Sequence, residues 1–301
     1  MGMPPATAPV AVIPRFSSVD DVAERLAATG YLASDAIATT VFLADRLGKP
    51  LLIEGPAGVG KTQLAKAVAS AIDGELIRLQ CYEGVDEARA LYEWNHAKQL
   101  LRITAEQGSA WDQVRSDIFT AEFLLPRPLL RAVQAEGEAV LLVDELDKAE
   151  MEVEGLLLEI LGDFQVTVPE LGTITAERAP FVVLTSNATR ELSEALRRRC
   201  LFLHIDYPSA DLEQRILSAH VPGLSDALAE SVVRLVGRLR MMKLRKAPSV
   251  AETVDWGRTL VALGADDLSP AALRDHLGVL LKHQDDIVRA RDALGLDRDT
   301  L

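Results

Sequence analysis

The run Gly55-Pro56-Ala57-Gly58-Val59-Gly60-Lys61-Thr62 constrains this 301-residue chain more than any other feature. It fits the pattern G-x-x-x-x-G-K-[ST], in which glycines let backbone N–H groups curl around an anion at the start of a helix. The flanking sequence supplies the frame: Leu51-Leu52-Ile53 is a short apolar run, and 63–72 has apolar spacing of three and four. Strand, loop and helix therefore follow in order. Lys61 is placed to reach the β- and γ-phosphates, and Thr62 to bind Mg2+.

The rest of the chain agrees with that frame. Apolar runs at 76–79, 139–143, 181–184 and 201–205 are separated by helical patterns, which predicts a mostly parallel sheet of five strands covered on both faces. Two helices, 19–28 and 35–47, are expected before the first strand, the second capped by Ser34 or Asp35. Val166-Thr167-Val168, a turn through Pro169-Glu170-Leu171-Gly172, and Thr173-Ile174-Thr175 predict a hairpin. Beyond Tyr207-Pro208 only helical periodicity remains, so the C-terminal third reads as all-helical. The expected division is a disordered leader over 1–16 with four prolines, an α/β core over 17–206 and a helical lid over 207–301.

Two further strands end in polar side chains at the edge of the sheet where ligands of open α/β folds bind. Val140-Leu141-Leu142-Val143 leads into Asp144 and Glu145. Beside a phosphate loop, Asp144 is expected to hold Mg2+, directly or through water, and Glu145 to polarise the attacking water as general base. Phe181-Val182-Val183-Leu184-Thr185-Ser186 leads into Asn187, which either orients that water or contacts the γ-phosphate. Leu192-Ser193-Glu194-Ala195-Leu196 then runs into Arg197-Arg198-Arg199. Such cations suit a helix C-terminus; the alternative is an arginine finger, donated to a neighbouring subunit's nucleotide in a head-to-tail assembly.

Composition narrows the class. With 32 Lys and Arg against 45 Asp and Glu, the net charge of −13 disfavours a chain that coats nucleic acid. Cys81 and Cys200 cannot form a disulfide framework and read as two buried small hydrophobes in a cytoplasmic protein. No apolar stretch is long enough to span a membrane. The five histidines show no zinc spacing. Five basic residues within 238–246 read as a solvated helix face and loop, and Tyr92 and Trp94 as packing residues.

The order of phosphate loop, Asp-Glu strand, Ser-Asn strand, arginine-rich helix end and helical lid resembles the AAA+ ATPases, a P-loop NTPase fold with a three-layer α/β core. More narrowly, Leu141-Leu-Val-Asp-Glu-Leu-Asp-Lys-Ala149, Leu157-Leu-Glu-Ile-Leu-Gly-Asp-Phe-Gln-Val-Thr-Val168 and the Arg197–Arg199 run look like the MoxR family. Leu79-Gln-Cys-Tyr-Glu-Gly-Val-Asp-Glu-Ala88, followed by Leu91-Tyr-Glu-Trp-Asn95, resembles its CoxD-like branch, associated with carbon monoxide dehydrogenase maturation. The resemblance implies an ATP-driven, Mg2+-dependent hexameric ring. It would work with a von Willebrand factor A domain protein on a client metalloenzyme. The family's sensor asparagine falls on Asn187 and its finger arginine on Arg199, with Arg198 next. Where relatives place a second-sensor arginine, in a Ser-Pro-Arg type sequence, this chain reads Ala247-Pro248-Ser249-Val250. Arg245, Lys246 and Arg258 are the cations nearby.

Overall fold

The computed structural model describes residues 12–105 and 117–296. Two compact units emerge: residues up to Glu54 together with Thr62–His204, and Gly55–Lys61 together with Ile205 onwards.

In the first unit, α1 (Val19–Ala28) and α2 (Asp35–Leu47) open on Ser18 and Ser34, whose hydroxyls accept the N–H groups of Asp21 and Ile37. These caps satisfy donors that helix geometry leaves unpaired. Helix α2 ends on Gly48 at φ +61°, a left-handed closure. Strand β1 (Leu51–Glu54) leads through the glycine-rich loop into α3 (Lys61–Ala71), then β2 (Glu75–Gln80). A short helix α4 (Glu87–Ala90) precedes β3 (Tyr92–Trp94), α5 (His96–Ala105), β4 (Leu124–Pro126) and α6 (Pro128–Val133). There follow β5 (Ala139–Asp144), α7 (Met151–Asp163), the hairpin β6 (Gln165–Val168) and β7 (Gly172–Thr175), β8 (Phe181–Ser186), α8 (Glu194–Arg199) and β9 (Leu201–His204).

The five-stranded sheet has the order β2-β5-β8-β1-β9, parallel throughout, with Leu51 opposite Val183 and Leu201, and Val140 opposite Leu76 and Phe181. The expected parallel α/β core is therefore present. Every residue of β1, β5 and β8 is buried, because helices cover both faces of these central strands. Edge strand β2 instead alternates, with Ile77 and Leu79 inside and Arg78 outside. Because the strands are parallel, Glu54, Asp144 and Ser186 all finish at one edge of the sheet. The hydrophobic core runs through Leu52, Leu141, Leu184 and Leu157, each side chain contributing about 1.5–3 kcal/mol when removed from water.

The second unit contains α9 (Ala210–His220), α10 (Asp226–Arg240), α11 (Val250–Ala262), α12 (Pro270–Leu280) and α13 (Gln284–Leu294), and no strand among its described residues. Its core packs Trp256, fully buried, among Leu217, Val236, Leu260 and Leu277.

Several expectations require correction. Disorder expected over 1–16 fails at the end of that range. Residues 1–11 lie outside the described residues, but Phe16 is 2% exposed, and Arg15 pairs with Asp45 and Glu138 at 3.2 and 2.7 Å. The basic run 238–246 is not uniformly solvated either. The Arg240 side chain is only 10% exposed and lies against Glu213. Tyr92 and Trp94 do pack, edge to face at 6.4 Å, but on a two-stranded antiparallel ribbon, β3 with β4, that the sequence reading leaves unassigned. The hairpin β6–β7 forms where its turn residues place it. Both cysteines are free and buried, and burial pushes each thiol up to about 12.

Candidate nucleotide site

Gly55, Gly58 and Gly60 take φ values of +152°, +78° and +100°, conformations that side chains resist. The space is as restrictive as the backbone. A Cβ on Gly55 would stand 1.9 Å from the carbonyl oxygen of Ile205, and one on Gly58 2.3 Å from Cβ of Ser249. Lys61, 7% exposed, donates from Nζ to the carbonyls of Gly55 and Pro56 at 2.6 and 2.8 Å, folding its ammonium back over the loop it terminates. Val59 is buried, whereas Ala57 and Gly58 are exposed.

The start of α11 closes on this loop within the same unit. Ser249 caps α11 in a reciprocal box, accepting from the Glu252 N–H at 3.3 Å while Glu252 accepts from the Ser249 N–H at 2.7 Å. The Val250 N–H then donates to the carbonyl of Gly58 at 3.2 Å. Ser249, the cap of α11, and the Val250 N–H are therefore what this helix start sets against the loop. Of the cations nearby, Lys246 donates to Glu252 at 3.2 Å and Arg258 pairs with Asp255 at 3.4 Å, while the Arg245 N–H is held by Asp286 at 2.8 Å.

In the first unit, Asp144 is 2% exposed at the end of β5. The hydroxyl of Thr62 donates to its two oxygens at 3.0 and 3.2 Å, and that of Thr185 to Oδ1 at 2.6 Å. Thr185 also accepts the Glu145 N–H at 2.9 Å, so one hydroxyl fixes both acidic residues. Glu145 itself adopts φ +56°, ψ +47°, which turns it away from the line of the strand. Its carboxylate accepts from Gln80 Nε2 at 2.9 Å and Lys148 Nζ at 2.7 Å. The Lys148 ammonium is held above its usual range by that hydrogen bond and by the charges of Glu145, Asp147 and Asp144, against desolvation.

Asn187 follows β8, and its N–H donates to Asp147 at 3.1 Å. The three arginines diverge. Arg197 pairs with Glu54 at 2.7 Å and lies over the Phe202 ring at 5.6 Å; Arg198 pairs with Glu194 at 3.0 Å while 80% exposed; Arg199 donates to the carbonyl of Leu158 on α7. Sequence reasoning missed Arg78, Gln80, Thr185, Asp147, Lys148 and Ser249. The alternation of β2 could have flagged Arg78 and Gln80, since both fall on the same face of that strand.

Residues 50–200 match the AAA domain, dynein-related subfamily. The chain belongs to this AAA family. It is 26% identical over 215 residues to the denitrification regulatory protein NirQ of Pseudomonas aeruginosa, covering 69% of this chain and 74% of that one. An uncharacterized protein of Staphylococcus haemolyticus, SH1500, is 26% identical over 224 residues, 72% of this chain and 77% of its own length. Among solved structures, a Thermotoga maritima RuvB mutant superposes with a TM-score of 0.47 at 18% identity, over 95% of this chain and 73% of that one.

The residues present fit a nucleotide with a divalent metal. Three glycines at positive φ turn the loop into a form whose backbone N–H groups can converge on an anion, while Ile205 and Ser249 fill the Cβ positions of Gly55 and Gly58. The Thr62 hydroxyl and Asp144 carboxylate are hard oxygen donors, and Mg2+ characteristically takes one or two protein ligands and keeps water and phosphate oxygens for the rest. Among the described residues no group of three His, Cys, Asp or Glu side chains is placed to hold a softer metal.

Proposed function

We propose that this chain is a Mg2+-dependent ATPase of the MoxR type that drives remodelling, and thereby maturation or activation, of a metalloenzyme or protein complex. The observation that carries the reading is the hydroxyl of Thr62, first turn of the helix after the phosphate loop, lying on the strand-end carboxylate of Asp144. The backbone N–H groups of 55–62, Pro56 having none, would bind the phosphates and Lys61 would reach the β- and γ-phosphates. Thr62 and Asp144 would hold the metal, which would neutralise charge on the phosphate oxygens. Glu145 would take a proton from the water whose oxygen bonds to the γ-phosphorus as the bridging P–O bond breaks and ADP leaves; Asn187 would orient that water or contact the γ-phosphate, and Arg199, with Arg198 beside it, would act on the nucleotide of an adjoining subunit.

The similarity to a protein named for denitrification regulation supports the link to an enzyme system. The MoxR resemblance, and its CoxD-like branch, supply the remaining parts of the proposal. These are a hexameric ring, a von Willebrand factor A domain partner, a metalloenzyme client, a cytoplasmic location, and functional domains at 17–206 and 207–301. Among the described residues no helix is long and apolar enough to cross a membrane.

A second reading has its own support. Glu145 is tied to both Gln80 and Lys148, which withholds the base and favours a slow, nucleotide-gated assembly switch. Client activation, followed beside phosphate release and fluorescent-ATP binding, separates the two. Lys61→Ala abolishes both under either reading, and retained hydrolysis in that variant refutes the phosphate-loop assignment. Glu145→Gln keeps ATP binding in both, but loses client activation only if hydrolysis drives the work.

A further inference from the structure

We propose that Arg78 is a resident counter-ion of Asp144 that must leave this carboxylate before a divalent cation binds there. The inference rests on the reading of Asp144 as a metal-holding residue and adds the residue that sets how readily the metal enters.

The lone pairs of Asp144 are fully used by protein donors. Arg78 places Nη2 at 2.6 Å and Nε at 3.1 Å from Oδ2; Thr62 reaches Oδ1 and Oδ2 at 3.0 and 3.2 Å, and Thr185 reaches Oδ1 at 2.6 Å. An ionised carboxylate offers about four acceptor sites. A metal or its water therefore displaces a donor, and the three are not equivalent. Thr62 can keep donating its proton to Asp144 while an oxygen lone pair turns to the metal, because a hydroxyl carries both functions. Thr185 is 1% exposed and pinned by the Glu145 N–H. Arg78 alone among them is a cation, and its side chain is 46% exposed, free to swing from edge strand β2 into solvent. A guanidinium and a divalent ion on one carboxylate oxygen repel each other, more strongly as water is excluded.

The same arginine reaches the base. Its Nη2 donates to Oε1 of Gln80, whose Nε2 donates to Glu145. Departure of Arg78 removes one of the contacts orienting the Gln80 amide, so metal entry and the setting of Glu145 are linked through one side chain.

The test is a Mn2+ titration of the full-length chain with ADP bound, following free Mn2+ by electron paramagnetic resonance, with ADP affinity measured separately in EDTA. Arg78→Met removes the charge and keeps the apolar stem. The half-saturating Mn2+ concentration falls about tenfold, the size of a lost charge-assisted hydrogen bond, while ADP affinity in EDTA is unchanged. Arg78→Gln carries the same expectation should the methionine variant fold poorly. Asp144→Asn weakens Mn2+ binding. Unchanged or weaker Mn2+ binding in folded Arg78→Met and Arg78→Gln, with Asp144→Asn impaired, overturns the Arg78 proposal and spares the metal-site reading. Mn2+ binding to Asp144→Asn as tight as wild type overturns both.

Discussion

Asp147 Oδ2 accepts the hydroxyl of Thr189 at 2.6 Å and its N–H at 3.1 Å, while Oδ1 takes the Asn187 N–H at 3.1 Å. One carboxylate, 4% exposed and three residues beyond β5, thus pins the segment that follows β8. This is how a side chain at one strand end fixes the backbone that carries a polar residue at the next.

Burial pushes the Asp147 carboxyl up, but the Thr189 and Asn187 hydrogen bonds outweigh it and hold the group below the usual carboxylate range. Glu154, held by Ser193 and Arg190, and Glu252, held by Ser249 and Lys246, are lowered in the same way. For a depressed folded value, the stabilisation is complete above the unfolded carboxylate pKa of about 4 and is lost as pH falls through the folded value. Urea unfolding between about pH 5 and pH 2 should show the wild type losing stability steadily. Asp147→Asn should cost about 1–3 kcal/mol at neutral pH and show a shallower loss below pH 4. Parallel curves for the two proteins refute the assignment.

Glycine at 55 is required by packing as well as by dihedral angle, and Gly84 provides the control. Gly84 has φ +84° but nothing within 4 Å of an added Cβ, whereas Gly55 would drive a Cβ to 1.9 Å from the Ile205 carbonyl. Gly84→Ala should cost about 1–2 kcal/mol, the left-handed penalty alone. Gly55→Ala should cost more, by urea midpoint, and reduce fluorescent-ATP affinity. Equal costs show that the close approach to Ile205 contributes nothing.

The parts of this molecule legible in its sequence are those where one local rule suffices. Glycines at 55, 58 and 60 before Lys61 specify a loop whose backbone has few alternatives, and 140–143 is apolar at every position because β5 is covered on both faces. Ser34 before 35–47 marks a helix start because its hydroxyl answers a local N–H. What stayed hidden depends on pairing across long sequence separations. Arg78 meets Asp144, and Arg240 meets Glu213, only because strands or helices bring them together. Read along the chain, both arginines are ordinary exposed cations. The ribbon of β3 with β4 has three residues a side, too few for alternation to register.

The Arg240–Glu213 pair gives a stability prediction in the helical unit. Arg240 donates to both oxygens of Glu213 at 2.6 and 2.8 Å, to the Pro248 carbonyl at 2.9 Å, and lies 4.3 Å from the Tyr207 ring centre. Thr253 adds a hydroxyl to Glu213 at 2.9 Å. Arg240→Ala leaves a buried carboxylate with the Thr253 hydroxyl but without its counter-ion and should cost about 3–5 kcal/mol by urea unfolding. Replacing both residues with Arg240→Met and Glu213→Gln should recover more than half of that loss. A single variant within about 1 kcal/mol of wild type shows that the pair is solvated in solution.

The three consecutive arginines are separable by experiment because the fold sends them to different partners. Arg197 faces its own strand end, paired with Glu54, so Arg197→Ala should lower stability and ATP binding together. Arg198 is 80% exposed and pairs with Glu194 one helical turn away, and Arg198→Ala should leave folding unchanged. Arg199 is exposed on the other side of the same short helix, donating to Leu158. If it serves a neighbouring subunit, Arg199→Ala should reduce ATP turnover by about a thousandfold or more while ATP affinity stays near wild type. The decisive measurement is mixing. Lys61→Ala subunits cannot use their own site but still present Arg199, and Arg199→Ala subunits retain an intact phosphate loop. Equimolar mixing should restore hydrolysis well above the sum of the separate proteins, because the first variant supplies the arginine that the second lacks. Turnover no greater than that sum, with mixed assembly verified by mass spectrometry, shows that Arg199 does not act across subunits.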